Sequence, residues 1–181
     1  MIGNRSYPEE SVGPFPSPPQ SVTDTNDREI HIEVLESDAA AAVPALVDMY
    51  DTFNPADRAQ GIPPVGYDAI IEWLDAVLAE GLDVIARHDD RIIGHATLVP
   101  ESSEAHELAI FVHQEYQGAG IGSTLLRCLL GAAAEHSIEL IWLTVERWNT
   151  VAIGLYESVG FTACDRGRFE HEMALRLDEP E

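Results

Sequence analysis

A chain of 181 residues, of which 45% are hydrophobic, is long enough to bury one sizeable globular core. Its 32 acidic residues outnumber its 10 basic residues, so the formal net charge is -22 and no basic surface is left to bind nucleic acid. No apolar run approaches the ~20 residues of a membrane span, and the N-terminus lacks the basic-then-apolar order of a signal peptide. The composition therefore predicts a soluble, cytoplasmic protein with no membrane or nucleic-acid partner.

The acidic excess has two possible explanations. All ten basic residues are arginine, and the chain contains no lysine. An acidic surface attracts cationic substrates, or it keeps a protein hydrated at very high salt, where dense ions screen the repulsion between carboxylates. The complete absence of lysine favours the second explanation, and we expect a halophilic protein. The net charge therefore says little about the charge of the substrate.

The first 27 residues differ in composition from the rest of the chain. They are rich in proline, serine and glutamate. Such a segment buries too little apolar surface to offset the entropy lost on ordering it, so residues 1–27 are expected to form a disordered tail. A single globular domain is expected over residues 28–181.

The remaining chain alternates strand and helix patterns. Alternating apolar and charged residues mark the first strand, and apolar spacings of three and four mark amphipathic helices. Ser37 and Asp38 offer an N-cap for the first helix. The predicted elements are, in chain order, a strand at 29–35, a helix through 45–50, a loop at 53–66, a helix at 67–80, strands at 83–87, 92–99 and 108–112, a helix after 121, a strand at 140–145, a helix at 149–159, and strands at 161–165 and 171–177.

The cysteines and histidines give no sign of a metal site. Cys128 falls inside a predicted helix and Cys164 on a late strand, so two buried thiols are expected rather than a disulfide. The seven histidines are scattered, without a cysteine or carboxylate partner at ligand spacing, and no metal is predicted. The pattern of a Ser/His/Asp triad is also missing.

The most informative stretch is residues 117–122, between the apolar strand at 108–112 and a helix that carries Ile121, Leu125 and Leu129 on one face. A strand that passes through a glycine-rich loop into a helix leaves free backbone N–H groups, and the helix dipole adds partial positive charge there. Glycine has no Cβ, so a phosphate can approach the backbone closely. The stretch predicts an anion cradle.

Three kinds of phosphate-binding loop have this general form. A P-loop requires Gly-Lys-Ser/Thr, which a chain without lysine does not contain. A Rossmann fingerprint requires Gly-x-Gly-x-x-Gly, but position 123 is serine and too little chain follows for the rest of that fold. The third kind is the Gln/Arg-x-x-Gly-x-Gly/Ala loop that holds the pyrophosphate of coenzyme A. Gln117, Gly120 and Gly122 match it.

This loop and the later Asn…Leu-Tyr-Glu-x-x-Gly-Phe pattern, which begins at Asn149, resemble the GNAT N-acetyltransferases. The order of the predicted elements after the tail is also similar to that family. The resemblance implies an α/β fold with a mixed sheet, flanking helices and splayed central strands that admit the pantetheine arm of acetyl-CoA. The cofactor-binding residues that it implies are Ile110, Phe111, Val112, Gln117, Gly118, Ala119, Gly120, Ile121, Gly122, Ser123 and Asn149.

The resemblance also implies the catalytic groups. Tyr156 matches the family's proton donor to the coenzyme A thiolate, a role that suits a phenol; the alternative is a packed Tyr with its hydroxyl on a backbone carbonyl. A carboxylate that some members carry after the loop's helix is replaced here by Thr144. Glu107, at the start of the strand before the loop, is therefore the predicted general base, and a solvated strand-end Glu is the competing interpretation. Glu146 and His106 are the substitutes.

The sequence therefore predicts an acetyl-CoA-dependent N-acetyltransferase that transfers the acetyl group directly to a primary amine, without a metal. Protein lysine is the first expected acceptor, because of Glu107, and a small amine or amino acid is the second. In the family the loop at 53–66 lies over the acceptor pocket, so it is either a specificity loop or a plain connector. A non-catalytic acyl-CoA-binding sensor on the same fold is the alternative function. The sequence leaves open whether the protein forms a homodimer.

Overall fold

The computed structural model of the protein describes residues 5–36, 39–59 and 61–179. Ser37 and Asp38, the predicted cap of the first helix, lie outside the described residues. The elements are, in chain order, β1 (Gln20–Thr23), β2 (Glu29–Leu35), α1 (Ala39–Asp51), α2 (Tyr67–Glu80), β3 (Leu82–His88), β4 (Arg91–Pro100), β5 (Ala105–Val112), α3 (Ile121–Glu135), β6 (Leu140–Glu146), α4 (Thr150–Val159), β7 (Thr162–Arg166) and β8 (Glu170–Arg176).

The described strands form one mixed sheet in the order β1-β2-β3-β4-β5-β6-β8-β7. Neighbouring strands are antiparallel except β5 and β6, which are parallel because α3 returns the chain to the same end of the sheet. The predicted α/β fold with a mixed sheet is confirmed, and so are the bounds of the helix at 67–80.

Two hydrophobic clusters cover the two faces of the sheet. Helices α1 and α2 bury one cluster, which includes Tyr50 and Phe111, and helices α3 and α4 bury the other, which includes Leu129. Val84 and Ile85 are adjacent on β3 and belong to different clusters, because successive strand residues point to opposite faces. Strand β4 is buried on both faces, so apolar residues such as Ile92 and Ile93 follow one another along it.

The N-terminal segment differs from the disordered tail that its composition predicts. Strand β1 pairs with β2, the Val12 N–H donates to the Arg176 carbonyl (2.9 Å), and the Val12 carbonyl accepts from the Asp178 N–H (3.0 Å). A Cβ at Gly131 of α3 would overlap the Pro16 carbonyl oxygen, so this glycine lets the segment pack on the helix. These contacts offset the entropy lost on ordering the segment, and the domain includes it. The first four residues lie outside the described part of the chain.

The remaining sequence-level expectations concern membranes, thiols and metals. In the part of the chain that the structure describes, no helix has the length and apolar character to cross a membrane. Cys128 is buried in α3, where burial raises the pKa of its thiol to about 11, and Cys164 is partly buried on β7; both are free thiols. Among the same residues, no group of three or more His, Cys, Asp or Glu side chains is placed to hold a metal ion.

Candidate functional site

Strands β5 and β6 separate along their length. Three residue pairs join them, Ala105 with Leu140, His106 with Ile141, and Glu107 with Trp142. Beyond these pairs, from Leu108 to Val112, β5 is paired with β4 alone among the described strands. The backbone groups on the β6 side of residues 108–112 therefore lack a partner strand, which favours binding of another extended chain or ligand there.

The gap between the two strands opens into a cleft of about 590 Å³. This volume is in the range of sites for small organic ligands. The walls come from β5, β6, α4, the loop before α3 and the connection between α1 and α2. The residues that the two strands contribute are Ile110, Phe111, Val112, Thr144, Val145 and Glu146.

The loop before α3 leaves the start of that helix open. Gly120, the residue before α3, has left-handed backbone angles (φ +85°, ψ 0°) and provides no side-chain cap. Gly118 also has a positive φ of +72°. A Cβ on either glycine would meet no atom within 4 Å, so the backbone conformation, rather than crowding, requires glycine. Gly122 and Ser123 lie in the first turn of α3, whose N–H groups have no intrahelical acceptor and can hold an anion.

The residues predicted to hold the pyrophosphate differ in what they can offer. Nε2 of Gln117 donates to the Val112 carbonyl (2.9 Å) and to Oδ2 of Asp57 (3.1 Å). The Gln117 side chain therefore stabilises the loop through hydrogen bonds within the protein. The side chains of Ala119 and Ile121 are buried in the core, so only the backbone of these two residues is available to a ligand. The predicted loop residues that border the cleft are Gln117, Gly118 and Gly122.

Tyr156 borders the cleft from α4. Its side chain is 8% exposed, and its ring packs edge-on against Phe161 at a centroid distance of 5.8 Å. Burial raises the pKa of the Tyr156 hydroxyl to about 12, so the phenol stays protonated at neutral pH. The hydroxyl has no hydrogen-bond partner among the described residues, and in particular is not bonded to a backbone carbonyl. This arrangement suits a proton donor.

Asn149 lies at the start of α4, also beside the cleft. Its Oδ1 accepts a hydrogen bond from the Ala152 N–H (3.2 Å), so Asn149 is the N-cap of α4. The cap aligns the helix that carries Tyr156. Contact of Asn149 with a pantetheine arm stays a prediction.

Glu107 lies at the closed end of the gap, on the same face of β5 as Phe111. Its side chain is exposed and does not line the cleft itself, so the competing interpretation of a solvated strand-end Glu stays open. Burial, together with the carboxylates of Glu101 and Glu172, raises the pKa of Glu107, and the charge of Arg5 opposes this. A raised carboxyl pKa is what a general base working near neutral pH needs.

The N-terminal segment covers the sheet beside Glu107. The guanidinium of Arg5 stacks over the Trp142 ring, 3.5 Å from its centroid. It also pairs with Glu101 through Nη1 (2.9 Å) and with Glu172 through Nε (3.3 Å). Arg5 therefore neutralises part of the acidic surroundings of Glu107.

The two substitute bases occupy different places. Glu146 lines the cleft, as does Thr144, and accepts a hydrogen bond from the Trp148 indole N–H (3.1 Å). His106 precedes Glu107 on the strand, so its side chain lies on the opposite face of β5. It lines a separate depression, and burial lowers its pKa. Glu146 is therefore part of the cleft, whereas His106 is not.

The connection between α1 and α2 supplies cleft residues that sequence reasoning did not single out. It contains a short 3-10 helix at Pro55–Asp57, capped by the Asn54 side chain, within the predicted loop. Its proline and glycine content indicated a loop but gave no sign of which side chains enter the cleft. Gln60 lies outside the described residues. The lining residues from this connection are Phe53, Ala56, Asp57, Arg58 and Ala59.

The chain is similar to known proteins in sequence and in fold. It is 36% identical over 73 residues to a [ribosomal protein bS18]-alanine N-acetyltransferase of Salmonella typhimurium, a match that covers 40% of this chain and 49% of that protein. The chain thus spans about half the length of the curated relatives it matches.

Two solved structures share its architecture. The GNAT domain of S. lividans PAT superposes with a TM-score of 0.72 at 16% identity, covering 87% of this chain and 96% of that one. The Salmonella typhimurium protein yncA, solved with its cofactor acetyl-CoA, superposes with a TM-score of 0.66 at 23% identity, covering 83% and 96%. At these identities the two structures show the fold alone.

A mixed sheet that splits between two parallel central strands places the protein in the class of GNAT-fold acetyltransferases. The acetyltransferase (GNAT) family model matches residues 45–161, a stretch that runs from within α1 to the end of α4 and includes the whole cleft between β5 and β6. The match covers more than half of the chain. The chain belongs to the GNAT acetyltransferase family.

Proposed function

We propose that this protein is an acetyl-CoA-dependent N-acetyltransferase that transfers an acetyl group directly to a primary amine. The observation that supports this most is the unpaired edge of β5 at residues 108–112, next to the open start of α3. An extended pantetheine arm can hydrogen-bond to that edge as a neighbouring strand would, and the helix start can hold a diphosphate. When bound, acetyl-CoA supplies the acyl group and a thiol leaving group.

The chain's own residues then have three tasks. The backbone of Ile110, Phe111 and Val112 orients the arm, and an N–H of this strand polarises the thioester oxygen. Glu107, directly or through one water, accepts a proton from the acceptor amine. Tyr156 gives its proton to the leaving thiolate, which its position beside the cleft supports.

The proposed acceptor is an amine carried by a protein lysine, with a small amine or amino acid as the second candidate. The carboxylates of Glu101, Glu107 and Glu172 lie close together, only partly neutralised by Arg5, and such surroundings favour a cationic amine. The relative from Salmonella typhimurium is named for an alanine of a ribosomal protein. A peptide with an N-terminal alanine therefore belongs in the test.

The test measures the release of free thiol from acetyl-CoA in molar salt. The panel contains a lysine peptide, a peptide with an N-terminal alanine, a polyamine and free amino acids, and a reaction without amine corrects for hydrolysis. We expect amine-dependent thiol release and a product heavier by one acetyl group in mass spectrometry. Tight binding of coenzyme A without thiol release for any amine would contradict an enzyme and support the acyl-CoA-binding sensor.

A further inference from the structure

The connection between α1 and α2 is fastened to the loop before α3. Nε2 of Gln114 donates to the Thr52 carbonyl (2.7 Å), and Oε1 of Gln114 accepts from the Asn54 N–H (3.0 Å). Nε2 of Gln117, within the glycine-rich loop, donates to Oδ2 of Asp57 (3.1 Å). These hydrogen bonds hold the connection in place at the side of the cleft, and the residue after Asp57 lines the cleft from there.

That residue is Arg58. Among the described residues that line the cleft it is the sole basic one, beside the two acidic residues Asp57 and Glu146. Its Nε is buried and has no hydrogen-bond partner in the part of the chain that the structure describes. A buried N–H without an acceptor costs free energy, which a bound acceptor recovers. A guanidinium fork suits an oxyanion, because it donates two parallel hydrogen bonds.

The Arg58 guanidinium has two candidate ligands, the diphosphate of coenzyme A and a carboxylate on the acceptor. The loop at 117–123 contains no basic residue, so the helix start offers a diphosphate only partial charges. The protein as a whole carries a net charge of -22 and repels a multiply charged anion, so a bound diphosphate needs a formal positive charge beside it. Asp57, the residue before Arg58, is hydrogen-bonded to Gln117 of this loop, and this bond keeps Arg58 close to the loop. These observations favour the diphosphate.

We propose that Arg58 binds the diphosphate of coenzyme A and supplies the formal positive charge that the glycine-rich loop lacks. This assignment rests on the proposed function, since it requires that the cleft takes coenzyme A. It gives the α1–α2 connection a part in cofactor binding in addition to any contact with the acceptor.

Calorimetric titration with coenzyme A tests the assignment on the full chain, using Arg58→Gln and the matched control Arg166→Gln. Arg166 is an exposed residue of β7 that does not line the cleft, so its replacement removes the same charge elsewhere. All titrations are run at one ionic strength, because salt screens charge contacts. We expect Arg58→Gln to raise the Kd for coenzyme A at least about tenfold and Arg166→Gln to leave it unchanged.

A second measurement separates the two oxyanions. S-acetylpantetheine lacks the diphosphate, so kcat/KM with this donor should be the same for wild type and Arg58→Gln. An unchanged Kd for coenzyme A overturns the assignment, and an unchanged Kd with a raised acceptor KM places an acceptor carboxylate at Arg58 instead. If Arg58→Gln does not fold, Arg58→Lys, which loses the fork, takes its place and is expected to weaken binding. A wild-type protein that does not bind coenzyme A would refute the proposed function itself.

Discussion

A glycine at position 120 has two possible reasons, the left-handed backbone angles and the access of a diphosphate to the backbone. Replacing Gly120 with alanine separates their effects. At φ +85° a Cβ costs about 1–2 kcal/mol of the free energy of unfolding. No atom lies within 4 Å of that Cβ, so no clash adds to this cost and the variant should fold. The same Cβ narrows the space through which a diphosphate approaches the backbone. We therefore expect the Kd for coenzyme A to rise about tenfold or more, which corresponds to about 1.4 kcal/mol of binding free energy.

Gly66→Ala is the matched control. Gly66 has a φ of +97°, its Cβ would also meet no atom within 4 Å, and it precedes α2 without lining the cleft. Denaturant unfolding at fixed salt gives the stability of both variants, and calorimetric titration gives the Kd for coenzyme A. Both variants should lose about 1–2 kcal/mol of stability, but only Gly120→Ala should lose affinity for coenzyme A. Wild-type affinity in Gly120→Ala would refute the loop as the diphosphate site.

Three further predictions follow from the site and the composition. Tyr156→Phe should lower kcat about 100-fold while the Kd for coenzyme A stays the same, because the ring remains and only the proton donor is lost; unchanged thiol release would remove this role. Glu107→Gln should abolish most turnover. Because the folded-state pKa of Glu107 is raised, the wild type loses stability relative to Glu107→Gln as pH rises through that pKa, and unfolding at about pH 3 and about pH 7 should show a difference only at the higher pH. Salt should stabilise the protein, because it screens the repulsion within a net charge of -22; a thermal midpoint that falls between low and molar salt would contradict this.

The sequence predicts most of the elements, because their signals are local. The spacing of Ile70, Trp73, Leu74 and Val77 predicts α2. In the structure Trp73 is partly buried and the other three residues are buried. The proline-rich N-terminal segment carries no such signal. Its order comes from distant contacts, such as those of Val12 with residues near the C-terminus, and composition alone therefore predicts a tail.

The candidate site is predictable where backbone and motif determine it. The open glycine loop and the position of Tyr156 beside the cleft agree with the sequence patterns. Arg58 does not follow from any pattern, because its place depends on side chains 60 residues away in sequence, such as Gln117 bonded to Asp57. His106, one of the substitute bases, does not border the cleft, because it lies at the closed end of the gap, where β5 is still paired with β6.

The three residue pairs between β5 and β6 also affect the mechanics of the domain. The antiparallel strands on either side of this line are bonded over most of their length, so the sheet consists of two stiff halves with a weak seam between them. A molecule that hydrogen-bonds along β5 and contacts α4 would bridge the seam. Occupancy of the cleft and the rigidity of the whole domain would then rise and fall together.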